Sequence, residues 1–116
     1  MSRAFQLIQD AEGRYSLRGG LTFATASEAL NETGGLFARR TGLVLDLGGV
    51  DRADSAGVAL MIEWLRRAKA SGVELRYARL PKSLQAIIRV SGVEELIPVE
   101  GAGTEYETNE QSTATR

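Results

Sequence analysis

Residues 43–77 have the sequence LVLDLGGVDRADSAGVALMIEWLRRAKASGVELRY, and this segment decides the fold. It begins with a near-continuous apolar run at residues 43–47, which is typical of a central strand covered on both faces. Helical spacing of apolar residues follows from about residue 56 to residue 70, and Gly72 is a good helix-ending residue. Residues 73–78 then alternate as a strand. The segment therefore predicts a strand, a helix and a second strand.

Two short strands and a helix are predicted before this segment. Residues 5–9 and 15–17 are short apolar pieces separated by a turn that contains Gly13, a pattern that favours an antiparallel hairpin. Residues 24–40 suit a helix, but the glycine pair at 34–35 costs about 1 kcal/mol per residue relative to alanine. We therefore expect this helix to bend or break at the pair.

The C-terminal part predicts one more helix and then a polar tail. Pro81 suits the first turn of a helix that Gly92 closes, and residues 96–99 either add a short strand or pack onto the domain. The order of elements predicts an α/β domain, with a mixed sheet of about four to five strands and about three to four helices. We expect one domain over residues 1–100 and a disordered tail over 101–116, because the tail has almost no aliphatic side chains to bury.

The composition argues against several functional classes. With no cysteine and no histidine, the chain has no thiolate nucleophile, no cysteine-ligated metal site and no histidine base, so we expect neither an enzyme nor a cofactor or metal protein. Nucleic-acid-binding proteins usually carry an excess of basic residues, and the net charge of −1 gives no such indication. There is no signal-peptide pattern and no apolar run of the ~20 residues that a membrane span needs. These features predict a cytoplasmic protein.

The strand-to-helix connection, VDRADSAGVALM at residues 50–61, carries the candidate site. Asp54 is a good N-cap, and Asp51 and Asp54 complement the positive end of the helix dipole, so ordinary helix-start chemistry is one interpretation. In the other interpretation, Ser55 is a docking point or a phosphorylation site, because a helix N-terminus also holds anions. Gly57 would then let another chain approach the first turn closely.

The sequence does not favour a magnesium site made by Asp46, Asp51 and Asp54. Carboxylates at the end of a strand can bind this ion, as in phosphate-receiver domains. Such domains need an acidic pair after the first strand and a lysine near a late strand. Here the first strand leads into a hairpin, and the only lysines are Lys69 and Lys82.

The predicted central helix has an apolar face with two large residues at its edge. At 100° per residue, that face holds Val58, Met61, Ile62, Leu65 and Ala68. Leu60 and Trp64 fall together just beyond it, beside Arg67. The pair is either the edge of a wide core or a partly exposed anchor, because tryptophan is enriched at interface hot spots.

Two longer phrases give the chain a resemblance to a known family. The segment quoted first, followed by LPKSLQAIIRVSGVEELI, resembles the STAS domain family, the fold of bacterial anti-sigma-factor antagonists, over roughly residues 5–99. Its marker is the Asp-Ser-x-Gly motif at residues 54–57. Within the family, ALMIEWLRRAKASG and LPKSLQAIIRVSGVEEL are similar to MlaB-type subunits of Gram-negative phospholipid ABC transporters. Ala56 replaces the second hydroxyl residue that anti-sigma antagonists usually carry.

The resemblance implies a binding role without catalysis. MlaB-type subunits dock on the cytosolic, MlaF-like ATPase of the transporter, and through it on a membrane permease, and support assembly and activity. The surface implied to bind the partner comprises Asp51, Arg52, Asp54, Ser55, Ala56, Gly57, Leu60 and Trp64. The alternative is an anti-sigma-factor antagonist regulated by phosphorylation of Ser55. The resemblance gives no reason to expect direct membrane insertion.

Overall fold

The computed structural model describes residues 4–101. Along the chain, β1 (Phe5–Ala11) and β2 (Arg14–Leu21) precede α1 (Ala26–Glu32), and β3 (Gly42–Ala53) precedes α2 (Ser55–Ala70). These elements are followed by β4 (Glu74–Ala78), α3 (Lys82–Ser91) and a short 3-10 helix, Glu94–Leu96. The predicted tail from residue 102 onward lies outside the described residues, and its disorder stays a prediction.

The strands form one mixed sheet in the order β1-β2-β3-β4. β1 and β2 pair antiparallel as a hairpin, whereas β2, β3 and β4 are parallel. Gly13 lies in the hairpin turn with φ of +70°, a conformation that glycine adopts without the steric cost of a side chain. The predicted α/β fold with a mixed sheet is confirmed, with four strands and three α-helices in the described part of the chain.

The hydrophobic core joins the sheet to the helices through β3 and α2. Leu45 and Leu47 of β3 are fully buried in one cluster with Met61 of α2. Tyr77 of β4 is also fully buried, and its hydroxyl donates a hydrogen bond of 2.6 Å to the carbonyl oxygen of Met61. Burial raises the pKa of Tyr77 well above its ordinary value, so this donor stays protonated at physiological pH.

The central strand is longer than the apolar run predicts. β3 extends to Ala53 because its pairing with β2 continues past the run, with Gly20 opposite Arg52 and Leu21 opposite Ala53. Asp51 therefore lies in the strand. The expectation that it sits at the start of the helix is wrong, and its interaction with the helix dipole stays a prediction.

The first helix is shorter than predicted. α1 ends at Glu32, two residues before Gly34, which confirms the predicted break at the glycine pair. Continuation of the helix to residue 40 is wrong. The segment after the break still contributes to the core, because Leu36 and Phe37 are buried.

The last described residues make a minimal addition to the sheet. Val99 forms a single parallel bridge with Tyr77, supported by hydrogen bonds of 2.9 Å from the Tyr77 N–H to the Pro98 carbonyl and 2.7 Å from the Glu100 N–H to the Tyr77 carbonyl. Glu100 also pairs with Arg14 at 2.9 Å. The segment is thus tied to β4 without forming a fifth strand in the described part of the chain.

Candidate functional site

The candidate site lies at the edge of the sheet where β2 and β3 end. Because the two strands are parallel, their carboxyl ends meet at the same edge. The loop after β2 therefore lies beside the start of α2. Six residues of the surface implied by the resemblance lie in this connection, namely Asp51, Arg52, Asp54, Ser55, Ala56 and Gly57, and the structure places residues 19–25 beside them.

Asp54 ties the two segments together. One carboxylate oxygen accepts a hydrogen bond of 2.9 Å from the Ala56 N–H, which confirms Asp54 as the N-cap of α2. The other oxygen accepts a bond of 3.2 Å from the N–H of Phe23, in the loop after β2. The same carboxylate thus satisfies one free donor of the helix and one of the neighbouring loop.

Two buried threonines fix the loop after β2. The Thr25 hydroxyl donates to the Gly20 carbonyl at 2.8 Å and accepts a hydrogen bond of 2.9 Å from the Thr22 N–H. Phe23 lies between these two residues, and its side chain is 86% exposed. The sequence analysis missed this loop, although parallel pairing of β2 with β3 would have indicated it.

Gly57 lets the first turn of α2 pack closely against the end of β2. A Cβ atom at this position would lie 2.5 Å from the carbonyl oxygen of Leu21 and 3.1 Å from the Leu21 Cβ. Gly57 is buried beneath that strand end. The interpretation that it leaves space for another chain is wrong, because β2 already occupies the space.

Replacing Gly57 by alanine is expected to lower the free energy of unfolding by about 1–3 kcal/mol, because the new methyl group overpacks a site closed by backbone atoms. Gly35→Ala is the matched control, since a Cβ there meets nothing within 4 Å. Urea unfolding followed by circular dichroism measures both variants. Equal losses in the two variants would contradict the close approach of Leu21 to α2.

Asp54→Ala is expected to lower the free energy of unfolding by about 1–3 kcal/mol, because it removes the helix cap and the acceptor of the Phe23 N–H. Asp54→Asn is the control: it keeps one side-chain oxygen for the cap and should lose less than half as much. Urea unfolding distinguishes them. An Asp54→Ala variant as stable as wild type would show that the carboxylate contributes nothing to the site's stability.

The outer surface of the site is polar. Asp51, Arg52 and Ser55 are exposed, whereas Asp54 and Ala56 are half-buried. A shallow groove of about 260 Å³ runs beside them, lined by Asp51, Arg52 and several residues of the neighbouring segment, namely Ala4, Gly19, Gly20, Thr22, Ala24 and Thr25. We call the exposed residues Asp51, Arg52 and Ser55, together with this groove, the Ser55 surface.

Leu60 and Trp64 do not belong to the Ser55 surface. The Trp64 side chain is fully buried, and its indole N–H donates a hydrogen bond of 2.8 Å to the Thr33 hydroxyl. Leu60 is 4% exposed. The interpretation of the pair as a partly exposed anchor is wrong, because the segment after α1 packs over this side of α2. They form the edge of a wide core.

Asp46 pairs with Arg79 and is not part of the candidate site. Its carboxylate is buried and accepts hydrogen bonds of 3.0 Å from Arg79 and 2.8 Å from the Gly48 N–H. Within residues 4–101, no group of three acidic side chains comes together to hold a metal ion.

The exposed face of α2 carries a small ionic cluster. Glu63 accepts hydrogen bonds from Arg66 at 2.7 Å and Arg67 at 2.8 Å. These two guanidinium groups lower the pKa of Glu63 to about 2. The cluster therefore keeps the same charge over the whole pH range of an ordinary binding experiment.

Solved structures share this architecture. The anti-sigma factor antagonist SpoIIAA in its unphosphorylated form is 17% identical, with a TM-score of 0.64 and coverage of 97% of this chain and 99% of that chain. The Bacillus cell fate determinant SpoIIAA in the phosphorylated form is also 17% identical, with a TM-score of 0.60 and coverage of 81% and 88%. At these identities, the likeness defines the fold.

A transporter contains a similar unit. The murine anion transporter Slc26a9 is 22% identical over the matched region, with a TM-score of 0.56 and coverage of 75% of this chain. The match covers 15% of the transporter chain, so the protein corresponds to a small part of that molecule. In the present structure, none of the helices within residues 4–101 is both long and apolar enough to cross a bilayer.

The fold and the capped helix after the central strand thus define a STAS domain. The family model described as "Mlab, STAS domain" matches residues 5–98, and the chain belongs to that family. Members of the STAS family are typically regulatory or accessory domains, and the match indicates no enzyme family. No curated protein matches the chain.

Proposed function

We propose that this protein is a non-catalytic accessory subunit that binds the ATPase of an ABC transporter moving phospholipid between the inner and outer membranes. In this role it supports assembly and activity of the transporter and thereby the lipid asymmetry of the outer membrane. The family match over residues 5–98 carries the proposal, because the resemblance to MlaB-type subunits implies this role. The ATPase would be MlaF-like and would link the protein to a membrane permease.

The Ser55 surface is the proposed contact with the ATPase. Asp51 and Arg52 are exposed at the end of β3 and Ser55 is exposed at the start of α2. The intervening Asp54 caps α2 and also binds the loop after β2, so the surface is ordered before a partner binds. A preorganised surface loses less conformational entropy on binding. Ala56 stands beside Ser55 on the same turn and completes the surface.

The proposed location is the cytoplasm, at the inner membrane through the partner complex. The net charge of −1 and the pairing of most described arginines with carboxylates favour a protein partner over nucleic acid. The similar fold within Slc26a9 supports a role in a transporter complex, since a unit of this kind occurs in that anion transporter.

The second candidate function is that of an anti-sigma-factor antagonist phosphorylated on Ser55. Two observations favour it: the fold is shared with SpoIIAA, whose phosphorylated form is known, and Ser55 is exposed in the first turn of α2. A phosphate there would lie near the free N–H groups of the helix but also beside Asp51 and Asp54, so that it would repel an acidic or closely packed partner.

Affinity capture from native cells, with mass spectrometry of the recovered proteins and phosphopeptide mapping of Ser55, distinguishes the two functions. We expect an ABC-type ATPase and a permease to be recovered, with Ser55 unmodified. Recovery of a sigma-regulatory kinase with phosphate on Ser55 would support the second function and overturn the first. Bait carrying Ser55→Asp is the control, because we expect it to keep the fold and to alter only the proposed contact.

A further inference from the structure

Phe23 differs from the other phenylalanines of the chain. Phe5 and Phe37 are core residues, 0% and 7% exposed, whereas the Phe23 side chain is 86% exposed. A single exposed apolar side chain is common on protein surfaces and needs no explanation by itself. What distinguishes Phe23 is the way its backbone is held and where it lies.

The backbone around Phe23 is fixed on both sides. The Phe23 N–H donates to Asp54 at 3.2 Å, and the Ala24 N–H donates to the Thr22 hydroxyl at 3.2 Å. Thr25 closes the loop through its bond of 2.8 Å to the Gly20 carbonyl. An aromatic ring carried on such a loop has few torsions left to order when a partner binds, which lowers the entropic cost of using it as a contact.

Phe23 also lies beside the Ser55 surface. Its hydrogen bond goes to Asp54, the residue immediately before Ser55, and the neighbouring residues Thr22 and Ala24 line the groove that Asp51 and Arg52 border. An apolar aromatic residue next to exposed polar side chains matches the composition of protein interfaces, where aromatic residues are enriched and the rim is polar.

We propose that Phe23 is the main apolar anchor of the contact with the ATPase, inserting its ring into an apolar pocket of that subunit. The inference rests on the proposed function and adds a residue to it. The partner surface that fits has an apolar pocket for one phenyl ring, adjoined by polar groups that face Asp51 and Arg52. The central aromatic residues of an interface commonly dominate its affinity.

The test is a titration of the purified ATPase subunit, identified by the capture experiment, against wild type, Phe23→Ser and Val90→Ser. Val90→Ser is the matched control, because Val90 is equally exposed, at 88%, but lies on α3. We expect Phe23→Ser to bind about 30-fold more weakly, as loss of an interface hot spot does, and Val90→Ser to bind within about twofold of wild type. Circular dichroism should give the same melting temperature for all three proteins.

The outcomes separate this inference from the proposed function. Wild-type affinity of Phe23→Ser for the ATPase would overturn the anchor and leave the proposed function standing. Equal weakening by Val90→Ser would also overturn it, since the effect would not be specific to the loop. Failure of the wild-type protein to bind any ABC-type ATPase would overturn the proposed function and this partner assignment together.

Discussion

Trp64→Ala is expected to lower the free energy of unfolding by about 3–5 kcal/mol, the usual cost of truncating a large buried aromatic side chain. The indole is fully buried, and its N–H is the donor to the Thr33 hydroxyl at 2.8 Å. Truncation leaves a cavity between α2 and the segment after α1, and it removes a buried hydrogen bond. For a domain of this size such a loss is a large part of the total stability.

Trp64→Phe is the control that separates packing from hydrogen bonding. It keeps most of the apolar volume and removes the N–H, so the expected loss is smaller, about 1–3 kcal/mol. Urea unfolding of wild type and both variants gives the three free energies. If Trp64→Ala unfolds at the same urea concentration as wild type but fails to bind the partner, Trp64 is an interface residue and the core assignment is incorrect.

Local sequence information was sufficient for the elements that depend on neighbours in the chain. The apolar run that becomes β3, the helical spacing of α2 and the cap at Asp54 follow from residue type and spacing within a few positions. The break after α1 follows in the same way from the glycine pair at 34–35. The fold class could therefore be predicted, and the resemblance to STAS domains added to it.

The sequence could not give the positions that depend on contacts between distant segments. Trp64 is buried because Thr33, from a different element, packs against it. Asp51 lies in β3 because β2 continues to pair with that strand. Gly57 faces Leu21 for the same reason. Helical periodicity and local helix-start chemistry contain none of this information. The sequence therefore left Trp64 open between the core and an interface, and Asp51 and Gly57 were interpreted incorrectly.

Phe23 is the clearest case of a residue that only the three-dimensional arrangement brings to the site. It lies 31 positions before Asp54 in the chain, and yet its N–H is bound to that carboxylate. The sequence of the loop, LTFAT, contains no charged residue or motif that points to a site. Knowledge of the parallel pairing of β2 and β3 is needed to connect it with Ser55.

Ser55→Asp is expected to abolish binding of the ATPase, with affinity at least about 100-fold below that of wild type. Within a closed interface the new carboxylate would lose its hydration without a ready partner, at a cost of several kcal/mol. Asp51 and Asp54 would add repulsion between like charges. The domain itself should stay folded, because Ser55 is exposed and a negative charge in the first turn of α2 is favoured by the helix dipole.

Ser55→Ala is the matched variant, since it alters the same position without adding charge. It removes one hydroxyl and should keep most of the affinity, with a loss of about 1–3 kcal/mol only if a buried partner group is left without a hydrogen bond. In an anti-sigma-factor antagonist the same variant would instead hold the protein in one signalling state, because it could no longer be phosphorylated.

The most direct test of the proposed contact is a calorimetric titration of the purified ATPase with wild type, Ser55→Ala and Ser55→Asp, each shown to be folded by circular dichroism. We expect wild type and Ser55→Ala to bind with similar affinity and Ser55→Asp to give no measurable binding. Binding of Ser55→Asp with the affinity of wild type would place Ser55 outside the interface and contradict the proposed contact.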